Sequence, residues 1–413
     1  MALPTPRTIQ RTYLVLTTVT TLATSFIWGV NTLFLLDAGL TNTEAFAANA
    51  FYAIGQVLFE VPTGVVADTR GRRFSYMLGA ATLLASTVLY LVMWQVHAPF
   101  IGWALASALL GLGFTFFSGA TEAWLVDALR ATGFAGELDT VFGRAQTASG
   151  AAMLLGSVLG GVVAQASDLG VPYILRAAFL GLTLIVAYRF MHDIGFTPRR
   201  GADPVTEVRN VLRGSIDAGW RNPPVRALML GGLFTGGVTF FAFYASQPYL
   251  LQLYGDPNAY SVAGLTAAVF AGAQILGGLL VPYLRRVFRR RTDGVLVSVV
   301  GTVGIMGAIG VTTNFVVALV LLATWAMLFA FTSPLRQAFI NGIIPSEQRA
   351  TVLSFDSFMG SIGGAISQPA LGRVSDVFGY GPAYAVTAAM QACAIPFVLL
   401  ARRERAASDP IEA

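Results

Sequence analysis

An all-helical integral membrane protein, with twelve transmembrane helices in two pseudo-symmetric six-helix halves, is what this sequence predicts. Three observations carry that expectation. The 413 residues are 55% hydrophobic and only 11% charged, whereas an ordinary soluble domain carries about 25% charged residues. The arginines fall almost entirely into alternate connecting segments. Short stretches of the first half return, in the same order, in the second.

A membrane helix needs about 20 mostly apolar residues. Reading from one charged or Pro/Gly-marked break to the next gives twelve spans, near 12–36, 45–67, 74–95, 99–127, 142–166, 171–193, 226–253, 258–284, 294–313, 315–341, 349–371 and 382–401. No small-residue cleavage site follows the first apolar run, so no cleavable signal peptide is expected. The 44 glycines suit close helix packing in lipid. The single cysteine, Cys393, sits in an apolar run and reads as a small core residue. With two histidines and no Cys/His cluster, no metal is expected.

Arginine placement sets direction. With the N-terminus in the cytoplasm, the inner segments hold 23 of the 26 basic residues, all of them arginine. Among these are Arg70, Arg72 and Arg73, the five from Arg285 to Arg291, and Arg402, Arg403 and Arg405. Only Arg176 and Arg373 fall outside, and Arg336 lies within a span. Basic loops face the cytoplasm, so both termini are expected there, in a bacterial inner membrane. The same asymmetry accounts for the net charge of +5, which therefore does not point to nucleic acid.

The longest polar break divides the chain into an N-terminal bundle (1–195), a cytoplasmic linker (196–224) and a C-terminal bundle (225–413). Within the linker, Asp203 and Pro204 can open a helix. Val205, Val208, Leu212, Ile216 and Trp220 follow at helical spacing, as in an amphipathic helix on the inner surface. The halves are weakly similar. "NTLFLLDAGL" (31–40) matches "SQPYLLQLYG" (246–255), "FSGATEAWLVD" (117–127) matches "FTSPLRQAFIN" (331–341), and "GSVLGG" (156–161) matches "GSIGG" (360–364). "EVPTGVVADTRGRR" (60–73) shares its Val-Pro with "LVPYLRRVFRRR" (280–291).

Twelve spans, two repeats and the loop Gly64-x-x-x-Asp68-x-x-Gly71-Arg72-Arg73 between spans two and three resemble the major facilitator superfamily. "PTGVVAD" preceded by Glu60, with "TEAWLVD" in span four, resembles its bacterial drug:proton antiporter branch, near the tetracycline and macrolide exporters. The resemblance covers the whole chain. It implies a central cavity between the bundles, and a charge cluster in which Asp68 and Arg72 meet an acid at the inner end of span four, here Asp127. Independently of family, Gly64 permits close helix approach and Gly71 a tight reversal. The proton-exporter pattern of span five is degenerate: Gly156, Gly160 and Gly161 are present, but Ser157 stands where the branch has proline. These glycines read first as packing residues.

An ion at mid-bilayer costs about 2.5–3.5 kcal/mol on insertion scales, so it faces the protein interior and usually serves function. Glu60, about 7 Å inward of the middle of span two at 1.5 Å per residue, and Glu122 in span four are the deepest acids. Asp356 in span eleven is the third candidate for proton coupling. Arg336, in span ten, falls opposite Glu122 in the repeat. Asp37, His97 and His192 lie near span ends. Asn31, Phe34, Gln56, Tyr244, Gln247, Gln274, Trp325 and Phe329 lie at cavity depth and are candidate substrate contacts. Each has an alternative reading as a packing or lipid-facing side chain.

The leading expectation is proton-coupled export of amphipathic small molecules by alternating access. No nucleotide-binding motif is seen, so the proton gradient, and no cofactor, is the expected energy source. The partners are a small-molecule substrate, protons and lipid, with the chain a monomer. Uptake of a polar solute and lipid or glycolipid flipping are transport alternatives. A membrane sensor or scaffold would need a long tail or appended domain. An intramembrane enzyme would need a catalytic set such as paired histidines, which is not found.

Overall fold

The computed structural model describes residues 4–198, 219–345 and 348–411, together with 206, 209 and 213. Regular secondary structure among them is helical. In chain order the helices are α1 (Pro6–Ser25), α2 (Asn31–Asp37), α3 (Asn42–Arg70), α4 (Arg72–Gln95), α5 (Phe100–Thr115), α6 (Ala120–Ala131), α7 (Leu138–Ala166) and α8 (Val171–Phe190), followed by α9 (Pro223–Tyr254), α10 (Tyr260–Leu284), α11 (Arg291–Val311), α12 (Phe315–Asn341), α13 (Arg349–Phe378), α14 (Tyr380–Ala392) and α15 (Ile395–Arg403). Ten candidate spans among the described residues are long and apolar enough to cross a membrane. Nine of the expected spans are single helices. Spans one, four and twelve are broken, into α1 and α2, α5 and α6, and α14 and α15. The amphipathic helix expected around 203–220 lies almost wholly outside the described residues.

Two compact units emerge. Unit one comprises Met1–Gly39, Ile54–Val208 and Tyr260–Ala268; unit two comprises Leu40–Ala53, Arg209–Ala259 and Val269–Ala413. The division cuts two helices, so the first turns of α3 belong to unit two and those of α10 to unit one. In unit two, Asp376 near the end of α13 accepts the Asn42 and Thr43 backbone N–H groups at 2.9 Å each. These are free donors of the first turn of α3.

Each unit repeats the same packing. In unit one α1 lies on α7, and α4 on α8 and α5; in unit two α9 lies on α13, and α11 on α14 and α12. The tightest approach recurs as well. A Cβ on Gly160 of α7 would overlap the Phe26 carbonyl oxygen, and one on Gly363 of α13 would overlap the Leu233 carbonyl oxygen. A Cβ on Gly156 would lie 2.7 Å from Ser25 Cβ and 3.1 Å from the Leu22 carbonyl oxygen, and Gly161 faces Gly264 and the Tyr260 carbonyl. Small residues let the backbones touch, which supplies the dispersion contact that lipid cannot.

The third span of each unit is capped by an acid from beyond the sixth. Asp193, just after α8, accepts the Arg73 N–H at 2.8 Å. Asp409, after α15, accepts the Thr292 N–H at 2.9 Å and the Thr292 hydroxyl at 2.8 Å. Residues 408–411 thus form a strap: Ile411 N–H donates to the Arg289 carbonyl at 3.0 Å, and Asp409 is 1% exposed. Cys393, expected in the core, is exposed at the α14–α15 break.

Two outcomes follow for purified protein in detergent. Gly160→Ala and Gly363→Ala each destabilise by about 1–3 kcal/mol through overpacking, read as lowered thermal unfolding midpoints. Unchanged midpoints would mean the backbones separate freely. Asp193→Ala and Asp409→Ala each lose a cap worth about 0.5–2 kcal/mol; equal shifts would match their equivalent places, and a silent Asp409→Ala would show the strap to be dispensable.

Candidate functional site

In unit one the site is built on the broken fourth span. Helix α5 stops at Thr115, and Gly119 takes φ +68°, a left-handed turn that favours glycine. The break is held from α4: the Ser75 hydroxyl donates to the Phe116 carbonyl at 2.9 Å, and the Tyr76 ring meets Phe117 edge-on at 4.6 Å. Ser118 is left facing α3, where its hydroxyl donates to a Glu60 carboxylate oxygen at 2.6 Å. Helix α6 then opens with Glu122 in its first turn. Both glutamates are exposed in this unit, and neither has an ion-pair partner among the described residues.

The arginine-rich loop lies at the other end of α3. Arg72 donates to Asp68 at 2.5 Å, one helical turn apart. Asp127, the expected third member, is not a partner of either. The acid that organises this loop is Asp193, which fills the space where a Gly71 side chain would lie. Gly71 itself takes φ +109°, so its glycine is doubly required. Arg73 adds a bond to the Tyr188 carbonyl at 2.6 Å. Gly64, expected to admit a close neighbour, has nothing within 4 Å of a built Cβ.

Unit two holds a cavity of about 390 Å³ lined by α9, α11, α12, α13, α14 and α15, together with Ala394. Its charged pair is Arg336 and Asp356. Arg336 Nη1 and Nη2 donate to the two Asp356 carboxylate oxygens at 2.5 and 2.6 Å, and Nη2 also donates to the Leu228 carbonyl at 2.9 Å. Gly232 makes room for the guanidinium, since a Cβ there would lie 2.9 Å from Nη2. Hence Arg336 is bound to an acid of its own unit. In a low-dielectric setting a guanidinium takes the bidentate partner within reach. Asp356, a candidate proton site, is correspondingly an ion-paired, buried residue.

The candidate substrate contacts divide. Trp325 and Phe329 line the cavity. Phe34 does not line a cavity: it is fully buried, stacked on Tyr173 at 4.0 Å and touching Tyr90, Trp94 and Trp103. Its neighbour Asn31 is buried too and accepts the Tyr173 hydroxyl at 2.9 Å. Gln247 is 4% exposed, while Gln56, Tyr244 and Gln274 are half-buried. Asp37 accepts the Trp94 indole N–H at 2.8 Å. Sequence reading missed Ser118 and the hydroxyl lining of the cavity, including Thr235, Thr239, Ser298 and Thr302. The i, i+4 spacing of both pairs inside apolar runs was the available signal.

Comparison with known proteins gives a consistent result. The sequence profile described as Major Facilitator Superfamily matches residues 13–368. An uncharacterised MFS-type transporter of Methanocaldococcus jannaschii is 23% identical over 199 residues, which is 48% of this chain and 49% of that protein. The chain thus spans about half the length of the curated relative it matches. Among solved structures, the nucleoside transporter NupG aligns with TM-score 0.80 at 11% identity, over 95% of this chain and 98% of that one. A bacterial homologue of the human lysosomal transporter Spinster, inward-facing and unoccupied, aligns with TM-score 0.74 at 15% identity over the whole of both chains. A D-xylose–proton symporter gives 0.67 at 15% identity, over 95% and 96%.

The ion pair makes a stability prediction. Asp356→Ala leaves Arg336 uncompensated and costs about 3 kcal/mol or more, whereas Arg336→Met with Asp356→Leu is near neutral. Thermal unfolding of the three proteins measures this. A double variant as unstable as the single would show that the pair contributes more than its charges.

Proposed function

The chain belongs to the Major Facilitator Superfamily and is a secondary transporter rather than an enzyme; from that premise we propose that it moves a small solute across the inner membrane by proton-coupled alternating access, with Glu60 and Glu122 as the proton carriers. The observation that carries this reading is the broken fourth span. It places one carboxylate on a hydroxyl and the other at a half-helix start, both exposed and neither with an ion-pair partner among the described residues. A carboxylate kept for structure alone is normally paired inside a membrane protein. The Ser118 hydroxyl has a donor for ionised Glu60 and an acceptor for its protonated form, so it suits either state.

Two substrate readings remain in play. Export of an amphipathic molecule, with Asp68 and Arg72 gating, follows from the drug:proton antiporter resemblance in the loop and span four. Uptake of a polar solute is favoured by the unit-two cavity, which brings eight Ser/Thr hydroxyls, two amides and an ion pair to one wall set. A drug pocket is mostly apolar with few polar groups. The cavity wall also carries apolar residues such as Phe240, Trp325 and Phe329, so the polar-solute reading rests on its hydroxyls and ion pair.

In proteoliposomes with an imposed pH gradient, Glu60→Gln and Glu122→Gln are each expected to abolish concentrative transport, while solute exchange without a gradient persists in at least one. If both variants concentrate solute as well as the parent, these carboxylates are structural.

A further inference from the structure

We infer that the unit-two cavity receives the anionic group of a hydroxylated organic solute, a sugar acid or sugar phosphate, on the Arg336 guanidinium in exchange for Asp356; this rests on the polar-solute reading above. Arg336 and Asp356 are the charged residues of the lining. The elements around them carry other charges, namely Arg226, Arg291, Asp293, Arg349, Arg373, Asp376, Arg402 and Arg403, but none of these lines the cavity. Arg402 and Asp293 pair with each other at 2.8 Å.

The guanidinium does not need Asp356 to stay in place. The Leu228 carbonyl holds Nη2, and the missing side chain of Gly232 leaves its seat open. Charge then dictates the exchange. With Asp356 ionised the pair sums to zero. Adding an anion alone would leave one uncompensated negative charge in a poorly solvated space, which is costly. If Asp356 takes up one proton as the anion arrives, the two Arg336 donors pass from the carboxylate to the incoming carboxylate or phosphate monoanion. The sum remains zero: Arg⁺·Asp⁻ plus H⁺ plus anion becomes Arg⁺·anion plus neutral Asp. The planar fork of arginine fits either anion bidentately.

The rest of the lining fits the remainder of such a solute. Thr235 and Thr239 on α9 and Ser298 and Thr302 on α11 line the cavity at one-turn spacing; Thr235, Thr239 and Ser298 donate to the Gly231, Thr235 and Leu328 carbonyls, which leaves hydroxyl oxygens to accept from a solute. Gln391 is 1% exposed, and its Oε1 has no hydrogen-bond partner among the described residues. An unsatisfied buried acceptor is costly, and a rotation of the Gln391 side chain toward the cavity would let a solute hydroxyl satisfy it. Trp325 and Phe329 supply apolar faces for a sugar ring. About 390 Å³ lies at the small end of ordinary ligand pockets, roughly 300–1,000 Å³.

The test uses full-length protein in detergent, titrated calorimetrically with gluconate, glucose 6-phosphate and, as neutral control, glucose, in buffers of differing ionisation enthalpy. At least one anion should bind at least tenfold tighter than glucose, with one proton taken up per gluconate and up to two per glucose 6-phosphate where the phosphate is a dianion in solution, its second pKa being about 6. Linkage makes the gluconate affinity rise about tenfold per unit fall in pH while Asp356 is ionised in the free protein, and the glucose 6-phosphate affinity more steeply above that second pKa. Arg336→Gln should reduce the anion to the level of glucose. Asp356→Asn should still bind it, with one proton fewer taken up and a correspondingly shallower pH slope; Asp356→Glu should retain the parent's uptake and slope. If the asparagine variant does not fold, the proton count of the parent protein decides. Glucose binding as tightly as the anions, anion binding without proton uptake, or no binding of any probe would overturn the inference. Proton-driven flux of neutral solutes in proteoliposomes, alongside such a result, would leave the transport reading standing; absence of proton-dependent flux would remove that reading separately.

Discussion

A backbone group in or beside hydrocarbon must find its partner within the protein, and both units solve that constraint at the same places. The start of the third span is closed by a carboxylate from beyond the sixth, Asp193 for Arg73 and Asp409 for Thr292. Each capping bond ties the far end of a six-helix repeat back to its middle. The repeat is thereby a closed unit rather than a row of spans, and Asp409 with Ser408 holds residues 408–411 against α11 and α12.

The same economy operates at the first span. Its backbone is pressed against glycine, Phe26 on Gly160 and Leu233 on Gly363. About one and a half turns earlier a carbonyl accepts a second bond: Thr21 from the Ser25 hydroxyl at 2.6 Å, Leu228 from Arg336 at 2.9 Å. Ser25 and Gly232 are equivalent positions by the spacing of Phe26 and Leu233. Where unit one fills the position with a hydroxyl, unit two empties it, and a guanidinium from α12 enters. The missing side chain of Gly232 makes the room, and Arg336 with Asp356 supplies the charge.

Much of this was legible in the sequence, because it depends on composition and period. Hydropathy marked the spans, and the matched GSVLGG and GSIGG stretches marked the contact at Gly160 and Gly363. Local exceptions were not legible. The break at Ser118–Gly119 looks like a continuous apolar span until the support of Ser75 and Tyr76 from α4 is seen. Arg336 was aligned with Glu122 by repeat position, but pairing is settled by reach, and Asp356 lies within hydrogen-bond distance in the same unit. Phe34 has the depth of a cavity residue, yet a cage of Tyr90, Trp94, Trp103 and Tyr173 encloses it. Asp193 and Asp409 belong to short polar tails whose partners are over a hundred residues away in sequence, a separation no local pattern reports.

The two units therefore differ mainly in what the charges within their spans face. Unit one carries Glu60 and Glu122, exposed, with a hydroxyl and a helix start but no cationic partner among the described residues. Unit two carries an acid and a base that neutralise each other. A lone carboxylate changes net charge when it gains a proton, so its protonation is coupled to any movement that alters its hydration. A matched pair changes nothing unless a third ion enters, so it answers to solute rather than to proton alone. If both sites act in one cycle, the repeat has divided the labour by a few substitutions on a common frame: the first half senses the proton, and the second admits the solute only when charge can be balanced.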